Sequence, residues 1–507
     1  MKSINQFLDE NVLGRFNVVV MNLRKITGNV LRALVTANGQ GDPVLFRHGG
    51  ALVWIEFDDD GSPAFREITL DRMRLLLARR FSWYRRNLNG KEVAACPPME
   101  VVRDVLVFPN IDLPVVERIV CVPFFAPDGT IQTEPGYNPA TRAIFQPCDD
   151  MDAMLPVSDS PDSDEMATAL AIFDDVVVDF PFVGPGKTHT LAALLVPFVR
   201  ALIDGPTPLH LLEKPAPGTG ATLLAQVICD ICLGYPVAAM TEAHGEDEFS
   251  RKIHSKLRSG PTAILLDNLR HHLDSAALAV ALTNDMFGDR IIQRSEIASA
   301  PVRCLWLATA NNPSLSPQMA RRTIPIRLDA QMERPHLRTD FRQANLREFV
   351  RSNHALLVWA VLTMVRGWIA AGRPKGTKKL GMYESYSEVI GGILDVAGVP
   401  GFLDIPQEQA ALEDDEASLA PLIPLWLETF GFDTVSTAQL FELRPELDLG
   451  GKTEMEQKIR LGKLLRANRD RRFGDLVIVH EGKRGGSSLW RLVRVAGCSS
   501  TGGQGAG

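Results

Sequence analysis

The residues best suited to chemistry lie in "LHLLEKPAPGTGATLLAQVI", residues 209–228. An apolar run, a glycine-rich turn and a helical pattern follow one another there, the frame of a loop that cradles phosphate. Such a loop needs inward-facing backbone N–H groups, a helix N-terminus beneath them, a lysine on the β- and γ-phosphates and a hydroxyl on Mg2+. Pro217, Gly218, Thr219, Gly220, Ala221, Thr222 and Leu223 form the turn and the helix start. Gly218 and Gly220 permit close backbone approach, and Thr222 stands where the magnesium-binding hydroxyl belongs. Ala221 occupies the lysine position, and Pro215 replaces the first glycine. Lys214, just before the loop, either folds over the phosphates as a substitute or remains a solvated strand-end lysine.

A rival lies upstream in "VGPGKTHTLAALL", which contains Gly186, Lys187 and Thr188. Its loop is short, with Gly184 the only glycine between Pro181 and Gly186. The downstream spacing favours the lysine-less loop. Asp267 ends the apolar run "TAILLDN" 45 residues beyond Thr222. A carboxylate there holds Mg2+ beside a phosphate loop. Counted from Thr188 the gap is 79 residues and contains the run "PLHLLEK", which would need another role. The next run, "VRCLWLATANN", ends in Asn311 and Asn312, which can orient water or touch a γ-phosphate. "SPQMARRTIPIRLD" then delivers Arg321 and Arg322. Taken alone they read as a basic turn; after loop, Asp and Asn they read as fingers reaching a neighbour's nucleotide.

The elements that must hold these groups follow from periodicity. "PLHLLEK", "TAILLDN", "VRCLWLATA" and "TIPIRLD" are apolar runs separated by helical patterns, which predicts an α/β core with a parallel sheet over residues 168–345. Residues 346–405 read as a helical, lid-like subdomain. Residues 1–155 mix helices and hairpins into an α+β domain without a legible activity. Asp58, Asp59 and Asp60 there sit in a turn, "FDDDGSP", more economically than in a metal site. "PVSDSPDSDEMA" reads as a linker and "PQEQAALEDDEAS" as an acidic joint. At 507 residues the chain exceeds a single core. A net charge of −7 confines any nucleic-acid binding to a local patch. No run of about 18 apolar residues predicts a membrane span. The seven cysteines and the absence of a signal-peptide pattern predict a cytoplasmic protein. The one close pair, Cys229 and Cys232, reads as two small apolar helix residues.

Residues 425–496 read as helix, helix, strand, turn, strand, which predicts a winged helix. Between Lys452 and Arg494 there are twelve Lys/Arg against five Asp/Glu. Arg460, Lys463, Arg466, Arg469, Arg471 and Arg472 crowd the second helix and its end, and Lys483 and Arg484 the wing tip. A helix in a groove with a basic wing on the backbone is a DNA-docking geometry, although winged helices also bind proteins.

"PAPGTGATLL", "ILLDN", "LTNDMFGDRIIQRS", "WLATANN" and "ARRTIPIRLD", in this order, resemble the AAA+ ATPase core of helicase-like and primase-helicase-like replication proteins carried by phages, plasmids and integrative elements, related to superfamily 3 helicases. The likeness spans about residues 165–495. It implies Gly218, Gly220 and Thr222 as Walker A, Asp267 as Walker B, Asn311 as sensor 1, and Arg321 or Arg322 as arginine finger. It implies ATP and Mg2+ as cofactors, single- or double-stranded DNA, a homo-oligomeric ring, and a primase or other replication proteins as partners. "DRIIQRSEIASA" matches a hairpin entering a central pore, with Arg290 and Arg294 on DNA phosphate; a plain surface hairpin is the alternative. Two departures stand out. Ala221 replaces the lysine, and Asn268 replaces the acid that polarises water. Glu213, Glu246 and Glu248 are the candidate replacements for that acid. The resemblance therefore implies either an ATP-dependent DNA motor or a hydrolysis-deficient, nucleotide-binding scaffold or loader on DNA.

Overall fold

The computed structural model describes the chain except for residues 1–2, 20–21, 60, 216–217, 244, 270–271, 291–296, 333, 405–418, 420, 444–452, 470–471, 474, 485–486 and 495–507. At 272, 290, 297–298, 467, 472, 483–484 and 487 it describes the backbone alone. The chain divides into two compact units, residues 1–405 and 406–507.

Four apolar runs in the first unit form one parallel sheet: β1 (Leu209–Lys214), β2 (Ala263–Leu269), β3 (Leu305–Asn311) and β4 (Thr323–Arg327). Their order across the sheet is β2-β3-β1-β4. Parallel strands covered on both faces read as continuous apolar runs, as these do. Alternation assigns their side chains to two cores. Leu212, Leu265, Leu307 and Ile326 pack with helices α1 (Gly186–Val199) and α2 (Ala221–Leu233). Leu211, Leu266, Trp306 and Ala308 pack with α3 (Glu246–Leu257) and α4 (Ala276–Thr283). Helices α5 (His354–Ala370) and α6 (Glu384–Val396) join the first of these cores. Cys229 and Cys232 lie inside it, fully buried on α2. Among the described residues no single helix is long and apolar enough to cross a membrane.

An antiparallel hairpin, Met286–Arg290 with Ile297–Pro301, lies in the chain between α4 and β3, with Phe287 and Ala300 buried in the second of the sheet's two cores. The amino-terminal region has its own core around Val30, Leu76, Trp83 and Val102. It also clasps the turn that feeds β2. Phe65 N–H donates to Ser259 O and Ile119 N–H to Gly260 O, each at 3.2 Å, and Glu67 pairs with Arg258. Gly260 has φ +66, and a Cβ there would run into the Phe65 ring. The expected linker at 156–167 is only partly one: Asp162 and Glu165 form a capping box that opens a helix, Ser163–Val177. The local Asp-Ser spacing that suggested a joint is also a helix start signal. The acidic joint at 406–418 lies outside the described residues.

The second unit holds α7 (Leu422–Phe430), α8 (Thr437–Glu442) and α9 (Glu454–Ala467). Its four-stranded sheet contains β5 (Val435–Ser436), β6 (Arg472–Phe473), β7 (Leu476–Arg484) and β8 (Ser487–Arg494), ordered β5-β8-β7-β6. Trp426, Leu461, Leu465, Ile478 and Trp490 fill its core. Trp490 donates its indole N–H to Thr437 Oγ1 at 2.9 Å.

Candidate functional site: a glycine loop at the carboxyl edge of the sheet

Lys214, Asp267 and Asn311 all lie at the carboxyl ends of strands, the edge where open α/β sheets hold ligands. Strand β1 runs into the glycine loop, and α2 starts at Ala221 with Gly220 as its N-cap. Gly218 has φ +87 and Gly220 φ +98, a region L-residues with side chains avoid. Space reinforces the torsion at both. A Cβ at Gly218 would lie 2.8 Å from His336 Cβ, and one at Gly220 would lie 3.2 Å from the Phe180 ring. Among the described residues no side chain caps α2, so its first N–H groups are available to an anion. Pro217 lies outside the described residues, and Thr219 is buried.

The residues beside the loop form a hydrogen-bonded cluster. Thr222 Oγ1 donates to Asp267 Oδ1 at 3.0 Å, and Thr309 Oγ1 donates to the same oxygen at 2.6 Å. Thr309 Oγ1 in turn accepts from the Asn268 N–H at 2.9 Å. Asn268 adopts φ +56 where the β2/β3 register shifts, a conformation that asparagine tolerates better than most residues. Asn311 Nδ2 reaches Asn268 Oδ1 at 3.4 Å. Asn312 N–H donates to Lys214 O at 3.0 Å, tying the end of β3 to the start of the loop. Thr222 and Asp267 thus offer hard oxygen donors side by side, a set that suits Mg2+ completed by water.

The two departures acquire a physical setting. Ala221 is fully buried and belongs to the core beneath the sheet. Lys214 lies on the same face of β1 as Leu212, the side that carries α2, and it is half-buried. Burial lowers the ammonium below its ordinary range, while the Asp267 carboxylate pulls it back up. A cation within electrostatic reach of Asp267 is therefore present although position 221 carries none. The candidate acids are placed otherwise. Glu213 points to the opposite face of β1 and lies 3.8 Å from Arg327; burial raises its carboxyl. Glu246 accepts from Ser275 Oγ at 2.8 Å and from Ala277 N–H, so it serves the start of α4. Glu248 pairs with Lys252 at 3.5 Å on α3. Arg321 is exposed after the short helix Pro317–Ala320, and Arg322 bonds back to Gln318 O.

Next to Gly218 and Gly220 opens a cleft that sequence reasoning missed. Phe180, Leu223, Pro335, Phe341 and Leu346 give it apolar walls. Its far side is a segment held by Asp179, whose carboxylate accepts from the N–H groups of Arg342 and Gln343 at 3.0 Å. Asp179 O accepts from Arg338 at 2.9 Å, and Arg338 lies over the Phe341 ring at 4.9 Å. The signal in the sequence was the aromatic pair around Pro181 and the "RPHLRTDF" stretch after β4.

The remaining expected residues are located as follows. Arg290 ends the first strand of the hairpin, and Arg294 lies outside the described residues. Arg466 is exposed on α9 and Arg469 just after it. Arg471 lies outside the described residues, and Arg472 begins β6. Lys483 and Arg484 end β7.

No protein-family model matches the chain, and no curated protein matches it. Solved structures do resemble it at a distance. The apo structure of the NrS-1 C terminal region aligns at 12% identity with a TM-score of 0.37, covering 88% of this chain and 96% of that one. A second structure of the same region gives a TM-score of 0.34. The X-ray structure of the JCV helicase aligns at 12% identity and a TM-score of 0.22, covering 49% of this chain and 72% of that one.

Proposed function

We propose that the chain is a nucleotide-binding, helicase-like AAA+ protein that acts on DNA in the replication of a mobile genetic element. The observation that carries the reading is the Thr222–Asp267–Thr309 cluster beside a glycine loop and an uncapped helix start. In this reading the loop and α2 bind the phosphates of ATP, and Thr222 with Asp267 holds Mg2+, which neutralises phosphate charge. Lys214 takes the place of the missing lysine. The cleft of Phe180, Leu223 and Phe341 receives the base. Arg321 or Arg322 reaches the nucleotide of a neighbouring subunit in a ring. The strand order β5-β8-β7-β6 supports reading the second unit as a winged helix, which docks on DNA through α9 and the β7/β8 tip.

A second reading has a specific observation behind it. Asn268 can orient water but accepts no proton, and Glu213, Glu246 and Glu248 are all engaged elsewhere. The protein then binds ATP for assembly only, as a scaffold or loader on DNA. ATP turnover by the full chain, with and without single-stranded DNA and beside Asp267→Ala, separates the two. Turnover above the variant, raised by DNA, is the motor outcome. Turnover equal to the variant removes the motor and leaves the scaffold.

A further inference from the structure

Helix α9 carries an exposed face that charge alone does not explain. At about 100° per residue, Met455, Ile459, Lys463 and Arg466 fall on one side of it. Met455 is 75% exposed and Ile459 55%. With Glu454, Thr437 and Lys458 they line an open cleft, and Gly462 lies between them facing Thr437. The opposite side of α9 packs Leu461 and Leu465 into the core, so the apolar pair is surplus to folding. Lys458 is already engaged by Glu442 at 3.4 Å and lies over the Phe441 ring. Lys463 and Arg466 stand exposed in the carboxyl half of the helix, Met455 and Ile459 in the amino half.

That division of labour matches what a duplex offers. A recognition helix presents its amino-terminal residues to base edges while cations take the phosphates. The apolar group in the major groove is the thymine C5-methyl. An isolated exposed apolar residue needs no explanation, but two spaced four apart, in line with Lys463 and Arg466 on this helix, do. We infer that α9 reads duplex DNA by sequence, with Met455 and Ile459 contacting thymine methyl groups and Lys463 and Arg466 anchoring the flanking phosphates. This rests on the reading of the second unit as a DNA-binding winged helix. It makes the ligand double-stranded and thymine-containing rather than any polyanion.

The test selects duplexes from a random library with the full chain, then measures affinity for the enriched duplex and for the same duplex with every thymine replaced by uracil. The wild type is expected to bind the uracil duplex about tenfold more weakly. M455A/I459A should bind both duplexes equally, at the level the wild type shows for unselected DNA. K463A/R466A should weaken both duplexes alike and flatten the salt dependence. All four side chains are exposed, so unchanged thermal melting verifies that the variants fold. Equal wild-type affinity for thymine and uracil duplexes overturns the inference even if K463A/R466A weakens binding. Unaltered binding by M455A/I459A also overturns it and assigns the face to a protein partner. If no duplex is enriched and K463A/R466A changes nothing, the DNA reading of the whole unit falls with it.

Discussion

Two helices of this protein begin with nearly the same letters and have different uses. Helix α1 opens Gly186-Lys187-Thr188, and α2 opens after Gly220 with Ala221-Thr222. The first has the lysine that a phosphate loop wants, yet its groups are paired with other parts of the fold. Lys187 pairs with Asp174 at 2.7 Å, and Thr188 Oγ1 donates to Pro400 O at 2.7 Å. A Cβ at Gly186 would lie 3.0 Å from Arg327 O, so that glycine serves helix-to-strand packing. His189, one residue on, donates its Nδ1–H to Pro325 O at 2.6 Å and accepts from Leu403 N–H at Nε2. Helix α2 lacks the lysine, but β1 feeds it and Thr222 meets Asp267. The proposed reading assigns phosphate to the start at the carboxyl edge of the sheet, where Asp267 reaches Thr222 from β2, one strand beyond the adjacent β3.

This contrast predicts that damage around α1 costs stability and damage around α2 costs binding. The largest effect should come from acid. Burial lowers His189 to about 4 and His210 of β1 to about 3. Both lie below the ordinary histidine value, so their stabilising contribution is complete above about pH 6.5 and is lost as pH falls toward the folded values. Going from pH 7 to pH 5 should cost ~2 kcal/mol for each, or ~4 kcal/mol together, read as a lower urea midpoint. An unchanged midpoint would contradict the buried, neutral state of both rings. Next in size, Asp267→Ala removes the acceptor shared by Thr222 and Thr309. It should weaken Mg2+-dependent nucleotide binding on the order of a hundredfold, ~3 kcal/mol. Thermal melting should move much less than the affinity does. The smallest effects come from the paired hydroxyls. Thr188→Val should lower stability by ~1 kcal/mol with nucleotide affinity intact, whereas Thr222→Val should weaken Mg2+-dependent binding. Equal behaviour of the two valine variants would erase the contrast.

The sheet was legible because its four strands are buried on both faces and read as apolar runs. The candidate site follows in the sequence from the distance between the glycine loop and Asp267. Thr309 escaped notice for a topological reason: β3 inserts between β1 and β2, so a residue far along the chain lands on the carboxylate. The cleft escaped because Phe180 and Phe341 meet only after the segment following β4 folds back over Gly218. Glu246 shows the converse. Its residue type suited a catalytic acid, but the fold uses it to order the start of α4. The face of Lys214, by contrast, follows from strand alternation alone.

In the proposed reading the loop at 214–222 binds nucleotide with Lys214 as its cation, while Lys187 belongs to the scaffold. Titration of a fluorescent ATP analogue with Mg2+ into the wild type, Lys214→Ala and Lys187→Ala tests it directly. Loss of the charge-assisted contact should cost Lys214→Ala about tenfold in affinity. Lys187→Ala, which breaks a half-exposed ion pair, should bind like the wild type. Weakened binding by Lys187→Ala with Lys214→Ala unaffected would contradict the account.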